Sequence, residues 1–247
     1  MNNAVEPKEV ASYTMMTGEI YDLIYSNKNY AAEAERIIEI INQNAKSGGN
    51  RVLEAACGTG TYMRLLRNDF DVEGFDLSKQ QVEAAKRNLP NLRIKQADLI
   101  DFDMGKTYDA VLCLFSSIGY VLTIDNLQKS VKCMANHTKP GGIIIVEPWL
   151  KAEDLIPNHI SMESSKNDRL SVQRMGKLYR EGMLSIVSMH HMIGDSNGIQ
   201  YFVENHELAL FSDEDFRQAF EKAGLSFEVN ENGLNGKRRI CIGKKPI

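Results

Sequence analysis

The heptapeptide EAACGTG, Glu54–Gly60, governs the interpretation of the sequence around it. The run Arg51–Ala56 leads into it and has the composition of a buried strand, and the segment Thr61–Arg67 that follows predicts a short helix. Gly58 and Gly60 allow a tight turn between the two and let backbone N–H groups approach a ligand closely. The heptapeptide therefore predicts a strand, loop and helix with a ligand at the loop.

Strand and helix signals alternate on both sides of this unit, at spacings typical of βαβ connections. The predicted strands are Val72–Asp76, Leu92–Asp98, Tyr108–Phe115 and Ile143–Glu147. The predicted helices are Ala31–Asn44, a helix capped by Ser78 and Gln81 that runs to Asn88, and Thr123–Asn136, which the turn Lys139–Gly142 ends. This alternation predicts an α/β fold with a Rossmann-like, doubly wound sheet.

The pattern changes between Trp149 and Phe211, where polarity alternates around short turns. Three antiparallel strands are predicted there, at Leu170–Arg174, Leu184–Ile193 and Gln200–Leu210, and Asn197–Gly198 is the strongest hairpin signal. These strands form an inserted small antiparallel β-sheet. Afterwards α/β character returns, with a helix capped by Ser212 that ends at Ala223 and strands at Leu225–Val229 and Arg239–Ile242.

A length of 247 residues suits a single domain built from four segments. We expect an N-terminal helical cap at 1–50 and a ligand-binding core at 51–148. The inserted strands occupy 149–211, and the chain returns to the core sheet at 212–247.

Composition and charge exclude several classes of protein. With 43% hydrophobic and 25% charged residues, the chain is typical of a globular protein rather than a disordered one. Its 29 Lys and Arg against 33 Asp and Glu leave a net charge of −4, which disfavours nucleic acid as a partner. The apolar runs are far shorter than the roughly 18 residues needed to cross a bilayer, so no membrane partner is expected.

No secretory signal is visible between Met1 and Tyr13, so a cytoplasmic location is expected. The four cysteines are then free thiols that pack as small apolar side chains. No metal site is expected, because the adjacent His190 and His191 point to opposite faces of a predicted strand and no Cys or carboxylate spacing supports ligation.

Three carboxylates fall at or near the ends of successive predicted strands: Glu54, Asp76 and Asp98. In doubly wound sheets, ligands bind beyond these carboxyl ends. Asp76 can accept hydrogen bonds from both hydroxyls of a ribose, and Asp98 can accept one from an adenine amino group. Their alternative role is to cap the segments that follow. A row of three acidic residues favours a cationic ligand that contains adenosine, such as S-adenosylmethionine.

A nicotinamide dinucleotide is the competing ligand, and a nicotinamide oxidoreductase stays an alternative function. The GxGxxG fingerprint is incomplete, because Met63 stands where the third glycine is needed. A pyrophosphate would also meet Glu54 without a Lys or Arg inside the loop. S-adenosylmethionine contains no pyrophosphate, so neither feature counts against it.

Six short segments carry a resemblance to a known family: YDLIY (Tyr21–Tyr25), YAAEA (Tyr30–Ala34), ACGTGT (Ala56–Thr61), FSSIGY (Phe115–Tyr120), PGG (Pro140–Gly142) and VEPW (Val146–Trp149). The glycine-rich motif resembles that of class I S-adenosylmethionine-dependent methyltransferases. The whole set is similar to the amino-sugar N,N-dimethyltransferases, which act on nucleotide-linked sugars of the dTDP-3-amino-3,6-dideoxyhexose type. The resemblance implies a seven-stranded sheet with the last strand antiparallel, and S-adenosylmethionine as the cofactor with S-adenosylhomocysteine as its product.

The resemblance also implies residue roles. Those carried over to cofactor binding are Tyr21, Tyr30, Glu54, Ala55, Gly58, Gly60, Asp76, Leu77, Asp98, Leu99 and Phe115, with Phe115 beside the sulfonium. Those carried over to substrate binding are Tyr13, Tyr25, Ser117, Trp149 and Arg238. The chain departs from the family at Asn235–Arg239, where Lys237, Arg238 and Arg239 form a more basic segment suited to a diphosphate.

An amine must lose its proton before it can accept a methyl group. Tyr120 and Glu147 are the candidates for catalytic proton acceptors, because both flank the predicted crevice. Their alternative roles are a pocket wall for Tyr120 and a cap or ion pair for Glu147, and the resemblance implies that many such enzymes need no base.

Several functions stay open beside N-methylation of an aminosugar nucleotide. The acceptor could be an amino acid, a peptidyl natural product or a hydroxyl, since acceptor pockets lie in the inserted strands. A sensor that only binds the cofactor is a further alternative. A homodimer is the assembly we expect.

Overall fold

The structure is a computed structural model that describes residues 18–236 and 238–247, and the backbone alone of residues 8–10. It contains the sheet predicted around EAACGTG. The chain divides into two compact units. The large unit comprises Asn29–Asp154 and Ala209–Ile247, and the small unit comprises Met1–Lys28 and Leu155–Leu208. The N-terminal segment thus groups with the inserted strands, which the four-segment division did not anticipate; the single-domain description stays a prediction.

In chain order the strands are β1 (Lys8–Val10), β2 (Arg51–Ala55), β3 (Asp71–Asp76), β4 (Arg93–Gln96), β5 (Tyr108–Cys113), β6 (Thr138–Val146), β7 (His159–Lys166), β8 (Ser171–Glu181), β9 (Leu184–Asp195), β10 (Gly198–Ala209), β11 (Glu228–Asn230) and β12 (Ile240–Lys244). The helices are α1 (Gly18–Ile24), α2 (Tyr30–Asn44), α3 (Thr61–Leu66), α4 (Lys79–Asn88), α5 (Ile124–Asn136) and α6 (Asp213–Lys222), with a 3-10 helix at Ser117–Val121.

The large unit contains a seven-stranded sheet in the order β11-β12-β6-β5-β2-β3-β4. Strands β2 to β6 pair in parallel, and β12 runs antiparallel to both of its neighbours, which confirms the expected fold class. The register aligns Ala55 with Phe75 and Cys113, and Cys113 with Val146, so these four strands end at one edge. The loops after these strands therefore meet there.

Burial on both faces explains why the central strands are almost continuously apolar. Every residue of β5 is buried, as are the last four of β2 and the last six of β6. Strands covered by helices on both sides have no solvent face that would require polar alternation. The large hydrophobic core lies between this sheet and helices such as α2 and α3.

Helices α4 and α6 begin at the caps predicted for them, Ser78 and Ser212, and α5 begins at a cap of the same kind, Thr123. The side chains of Ser78, Thr123 and Ser212 each accept a hydrogen bond from a backbone N–H in the first turn, and Ser212 with Asp215 completes a reciprocal capping box. The expected box at Ser78 is only half formed, because Oε1 of Gln81 is buried without a hydrogen-bond partner among the described residues. Gln81 therefore packs inward instead of returning a hydrogen bond.

Several boundaries differ from the prediction, among them those of β8, which extends to Glu181 rather than Arg174, and of β11, which begins at Glu228 rather than Leu225. The Lys139–Gly142 segment lies inside β6 rather than in a turn; it is an irregular part of the strand, where the pairing with β5 passes from Thr138 to Ile143 and Gly141 adopts a φ of 75°. Strand β5 stops at Cys113, before Phe115. Residues 8–10, expected within a helical cap, form strand β1 beside β10.

The small unit is a five-stranded sheet in the order β1-β10-β9-β8-β7 with helix α1 against it. Strand β7 was not predicted, because most of its side chains are polar and nearly all are exposed at the sheet edge. A hairpin connects β9 and β10 as predicted, but its turn is Ser196–Asn197, one residue before the predicted Asn197–Gly198 pair, and Gly198 begins β10. Ile20 and Ile24 of α1 pack against apolar residues of the sheet.

None of the helices within the described residues is long and apolar enough to span a membrane.

Candidate active site

The loop after β2 turns through three left-handed backbone positions, with φ values of 56° at Ala56, 55° at Gly58 and 85° at Gly60. A Cβ atom added to Gly58 would meet nothing within 4 Å, whereas one added to Gly60 would lie 2.7 Å from Cδ1 of Leu89. Gly60 is therefore needed for close packing against the end of α4. Gly58 instead leaves open space in which a ligand can approach the backbone.

Asp76 ends β3 beside this loop. Its Oδ2 accepts a hydrogen bond of 2.8 Å from the N–H of Gly58, and its Oδ1 accepts one of 2.8 Å from the N–H of Ser78. Burial raises the pKa of this carboxyl above its ordinary value, and these backbone N–H groups oppose the rise. The carboxylate is thus held at the loop, at the place predicted for a ribose contact.

Asp98 follows the neighbouring strand β4, and its Oδ1 accepts a hydrogen bond of 3.1 Å from the N–H of Ile100. Both Asp76 and Asp98 therefore make the local turn contacts that were their alternative role. Those contacts also hold two carboxylates at adjacent strand ends, because β3 and β4 run parallel.

Glu54 is only 3% exposed, and its Oε2 has no hydrogen-bond partner in the described part of the chain. Burial, assisted by the charge of Asp76 and opposed by the backbone N–H of Met63, raises the pKa of Glu54 to about 8. A buried carboxyl with an unpaired oxygen is costly unless a donor or a cation reaches it. This group therefore fits a ligand that brings positive charge to the glycine-rich loop, as S-adenosylmethionine does.

The chain leaves β5 through two non-glycine residues in the left-handed region, Phe115 at φ 51° and Ser116 at φ 64°. The N–H of Phe115 donates a 2.7 Å hydrogen bond to Oε2 of Glu147, which is 1% exposed and follows β6. Glu147 thus stabilises a turn that L-residues seldom adopt. Tyr120, in the 3-10 helix that follows, is 37% exposed.

Ser116 also contacts the C-terminal segment. Its Oγ donates to the carbonyl of Pro148 at 3.1 Å and accepts from Nη1 of Arg238 at 2.9 Å. The Arg238 guanidinium lies over the Trp149 ring, 5.0 Å from its centre. The structure therefore brings together Arg238 and Trp149, two of the residues proposed for substrate binding, but the serine that bonds Arg238 is Ser116 rather than Ser117. No signal in the sequence distinguished the two.

Arg239 does not belong to an accessible basic patch. Its Nε lies 2.7 Å from Oδ1 of Asp213, and its two Nη atoms donate to the carbonyls of Trp149 and Phe211. Arg239 is buried and paired, so of the predicted basic segment Arg238 remains available to a ligand, and Lys237 lies outside the described residues.

The other predicted site residues have the following placements. Ala55 is buried at the end of β2, Leu77 is exposed after β3, and Leu99 is buried after β4. Tyr30 begins α2 and packs edge-on against Tyr62 at 5.1 Å.

Tyr21 and Tyr25 lie in α1 of the small unit, with ring centres 4.7 Å apart. Nη1 of Arg174 donates to the hydroxyl of Tyr25 at 2.9 Å. Tyr13 lies outside the described residues. Contact of these tyrosines with cofactor or substrate stays a prediction.

Among the described residues, no three His, Cys, Asp or Glu side chains are arranged to hold a metal ion. All four cysteines are free, and burial raises the pKa of Cys57 and Cys113. A thiol of raised pKa is a poor nucleophile at neutral pH. The chemistry of this edge therefore depends on carboxylates, hydroxyls and Arg238.

Known proteins share both sequence and structure with this chain. Residues 52–142 match a family model described as a methyltransferase domain. The dTDP-3-amino-3,4,6-trideoxy-alpha-D-glucopyranose N,N-dimethyltransferase of Streptomyces venezuelae is 33% identical over 235 residues, 94% of this chain and 98% of that protein.

Two solved structures are similar over nearly their full length. The sugar N-methyltransferase KedS8 from Streptoalloteichus sp ATCC 53650 has a TM-score of 0.86 at 31% identity, covering 98% of this chain and 99% of that one. SAM-bound CalS10, an amino pentose methyltransferase from Micromonospora echinaspora involved in calicheamicin biosynthesis, has a TM-score of 0.82 at 28% identity, covering 92% of this chain and 96% of that one.

Proposed function

Because the chain belongs to the S-adenosylmethionine-dependent methyltransferases, in the family of the dTDP-aminosugar N,N-dimethyltransferases, we propose that it methylates the amino group of a nucleotide-linked aminosugar. The chain is an enzyme, and its methyl donor is S-adenosylmethionine. The observation that carries the acceptor class is the Arg238 guanidinium, held by Ser116 over the ring of Trp149.

A guanidinium held in this way suits a diphosphate. Arg238 has five N–H donors, and the bond to Ser116 uses one of them, so a fork remains for two phosphate oxygens. The donation from Ser116 to the Pro148 carbonyl orients the serine lone pairs toward Arg238. Since the chain as a whole carries a charge of −4, an anionic acceptor needs a local cation of this kind.

We propose the predicted site residues as the cofactor site. S-adenosylmethionine supplies a methyl group bonded to a positively charged sulfur. The lone pair of the acceptor nitrogen attacks the carbon of this methyl group as the carbon–sulfur bond breaks and S-adenosylhomocysteine leaves. Asp76 would bind the ribose hydroxyls, Asp98 the adenine amino group and Glu54 the cationic end, while Gly58 leaves room for the ligand. Because the positive charge only moves from sulfur to nitrogen in such a displacement and no new charge is created, alignment of donor and acceptor is the main contribution of the protein.

Tyr120 and Glu147 remain proposed as the groups that take the amine proton. The partial exposure of Tyr120 supports access to an acceptor. Glu147 already uses one oxygen to accept from Phe115, so its proposed role combines proton acceptance with support of the turn.

The function is tested by incubating the protein with S-adenosylmethionine and a panel of acceptors, followed by mass spectrometry for one or two added methyl groups. We expect methylation of a dTDP-linked aminosugar and much weaker methylation of the same sugar without its nucleotide. Arg238→Ala should remove this preference, whereas Arg67→Ala, which removes an exposed arginine elsewhere in the large unit, should keep it. Methylation of amino acids or hydroxyl compounds alone would overturn the proposed acceptor.

We also propose a homodimer and a cytoplasmic location. Exposed apolar side chains on one face of the small sheet support the dimer: Ile160, Met162, Met175 and Met192. Met162 pairs directly with Met175, and alternate residues of a strand share a face, so the four side chains lie together. The four free cysteines support a reducing compartment.

A further inference from the structure

Glu33, in the first turn of α2, is a buried carboxylate that the sequence did not single out. It is 2% exposed. The hydroxyl of Tyr62 donates to its Oε2, and Nδ2 of Asn235 donates to its Oε1 at 2.9 Å. A buried carboxylate is tolerated only when its oxygens are hydrogen-bonded. Glu33 therefore joins two segments that lie far apart along the chain.

The first of these segments is α3, which follows the glycine-rich loop. Tyr62 is its second residue, two positions beyond Gly60, and it is buried. Burial together with the neighbouring charge of Glu33 raises the pKa of Tyr62, so its hydroxyl keeps the proton that it donates to Glu33. The cofactor loop is thereby tied to α2.

The second segment is the loop between β11 and β12, which carries Arg238. Gly233, at φ +51°, lies so close to Arg238 that an added Cβ atom would stand 1.5 Å from the Arg238 carbonyl oxygen. Leu234 is anchored in the large core, and the N–H of Gly236 donates to the carbonyl of Asn232 at 2.8 Å. Because the loop folds back on itself, the position of Asn235 is coupled to that of Arg238.

We propose that Glu33 is a positioning residue, which through Asn235 keeps Arg238 over Trp149 and so sets the affinity for the anionic part of the acceptor. Through Tyr62 the same carboxylate connects the acceptor-binding loop with the cofactor loop. The role assigned to Arg238 rests on the proposed function, whereas the control of its position by Glu33 does not.

The test exchanges the two partners of the hydrogen bond. Asn235→Asp replaces the amide donor with a second acidic side chain, so the 2.9 Å donation from Nδ2 to Oε1 of Glu33 is lost and two carboxyl groups face each other. Glu33→Gln combined with Asn235→Asp restores an amide-to-carboxylate hydrogen bond in the reverse direction, and the new glutamine oxygen can still accept from Tyr62. Asn232→Asp is the matched control, since it adds the same charge at another exposed position of the loop.

Two readouts separate the positioning role from the proposed function. Trp149 is the single tryptophan of the chain, so its fluorescence and quenching by acrylamide report whether Arg238 stays over the ring. The second readout is KM for the dTDP-linked aminosugar at saturating S-adenosylmethionine, measured with kcat and with the thermal unfolding midpoint.

We expect Asn235→Asp to increase quenching of Trp149 and to raise KM about tenfold, the effect of a lost hydrogen bond to a charged group, with kcat within about twofold. The double variant should restore both, and Asn232→Asp should change neither. Unchanged Trp149 quenching in Asn235→Asp, or a change that the double variant does not reverse, would overturn the inference. If quenching changes and is restored while even the wild type leaves every nucleotide-linked aminosugar unmethylated, the proposed function fails and the positioning role stands.

Discussion

At the scale of single residues, the ionisation of Glu54 gives a direct test of cofactor binding. Burial holds its pKa at about 8, above the ordinary 4.5, so at neutral pH the carboxyl carries a proton in the ligand-free protein. Positive charge brought to this carboxyl lowers its pKa and expels that proton. We expect binding of S-adenosylmethionine at pH 7 to release close to one proton, measured by calorimetry in buffers of different ionisation enthalpy. Glu54→Gln should release none, and equal release by both proteins would contradict the assignment.

The same residue makes stability depend on pH. Its raised pKa means that the folded state binds a proton that the unfolded state has lost, between pH 4.5 and about 8. This contribution to stability is complete below pH 4.5 and is lost as the pH rises through 8. Buried His191, with a pKa lowered from 6.5 to about 4, acts in the opposite sense and only at more acidic pH. Between pH 6.5 and 8 we expect the unfolding midpoint to fall in wild type and to be flatter in Glu54→Gln.

Asp76 gives a second test at this scale. Asp76→Ala should weaken S-adenosylmethionine binding by about 1–3 kcal/mol, the range for lost hydrogen bonds to a charged group. Asp71→Ala, at the exposed start of the same strand, is the matched control and should bind as wild type does. Calorimetry that finds equal affinity in wild type and Asp76→Ala would exclude Asp76 from the cofactor site.

At the scale of elements, the turn after β5 links the catalytic candidates. Glu147 accepts from the backbone of Phe115, and glutamine can accept the same hydrogen bond but cannot take a proton. We expect Glu147→Gln and Tyr120→Phe to lower kcat while cofactor affinity stays nearly constant. Glu147→Ala removes the bond to the turn and should weaken cofactor binding as well.

Steady-state kinetics and cofactor titration of these variants separate the roles. Full turnover in both conservative variants would remove Tyr120 and Glu147 from proton transfer. Full turnover in Glu147→Gln alone would leave Glu147 as the support of the turn.

At the scale of the whole molecule, the open face of the small sheet carries the prediction of a dimer. Lysine at both Met162 and Met175 would place two charges among the exposed apolar side chains of this face. An interface of about 800 Å² per partner would have to remove water from both charges, which is costly. We expect sedimentation to show a dimer for wild type and a monomer for Met162→Lys/Met175→Lys. Ile247→Lys, a charge at the 98% exposed last residue, is the control. A monomeric wild type would refute the proposal.

The order of the central strands and helices followed from the sequence, because periodicity, caps and glycine turns act over a few residues. The strand signals that lead to Glu54 and Asp76 and the cap at Ser212 needed no distant partner to be recognised. Strand β7 was missed for the same reason: an exposed edge strand lacks the apolar alternation that local patterns detect. The capping box at Ser78 is only half formed, and it shows where local patterns stop predicting the structure, because tertiary packing turned the Gln81 side chain inward.

What the amino-acid sequence alone specified was the sheet, the glycine-rich loop and the carboxylates at the strand ends, all of which depend on neighbours along the chain. The partners of side chains on separate loops depended on the tertiary fold. Nothing local separates Ser116 from Ser117, or Arg238 from Arg239, yet in each pair the fold gives the two residues different surroundings. Glu33 meets Asn235 across 202 positions only because α2 and the last loop fold against each other, and such contacts follow from three-dimensional packing rather than from any local pattern.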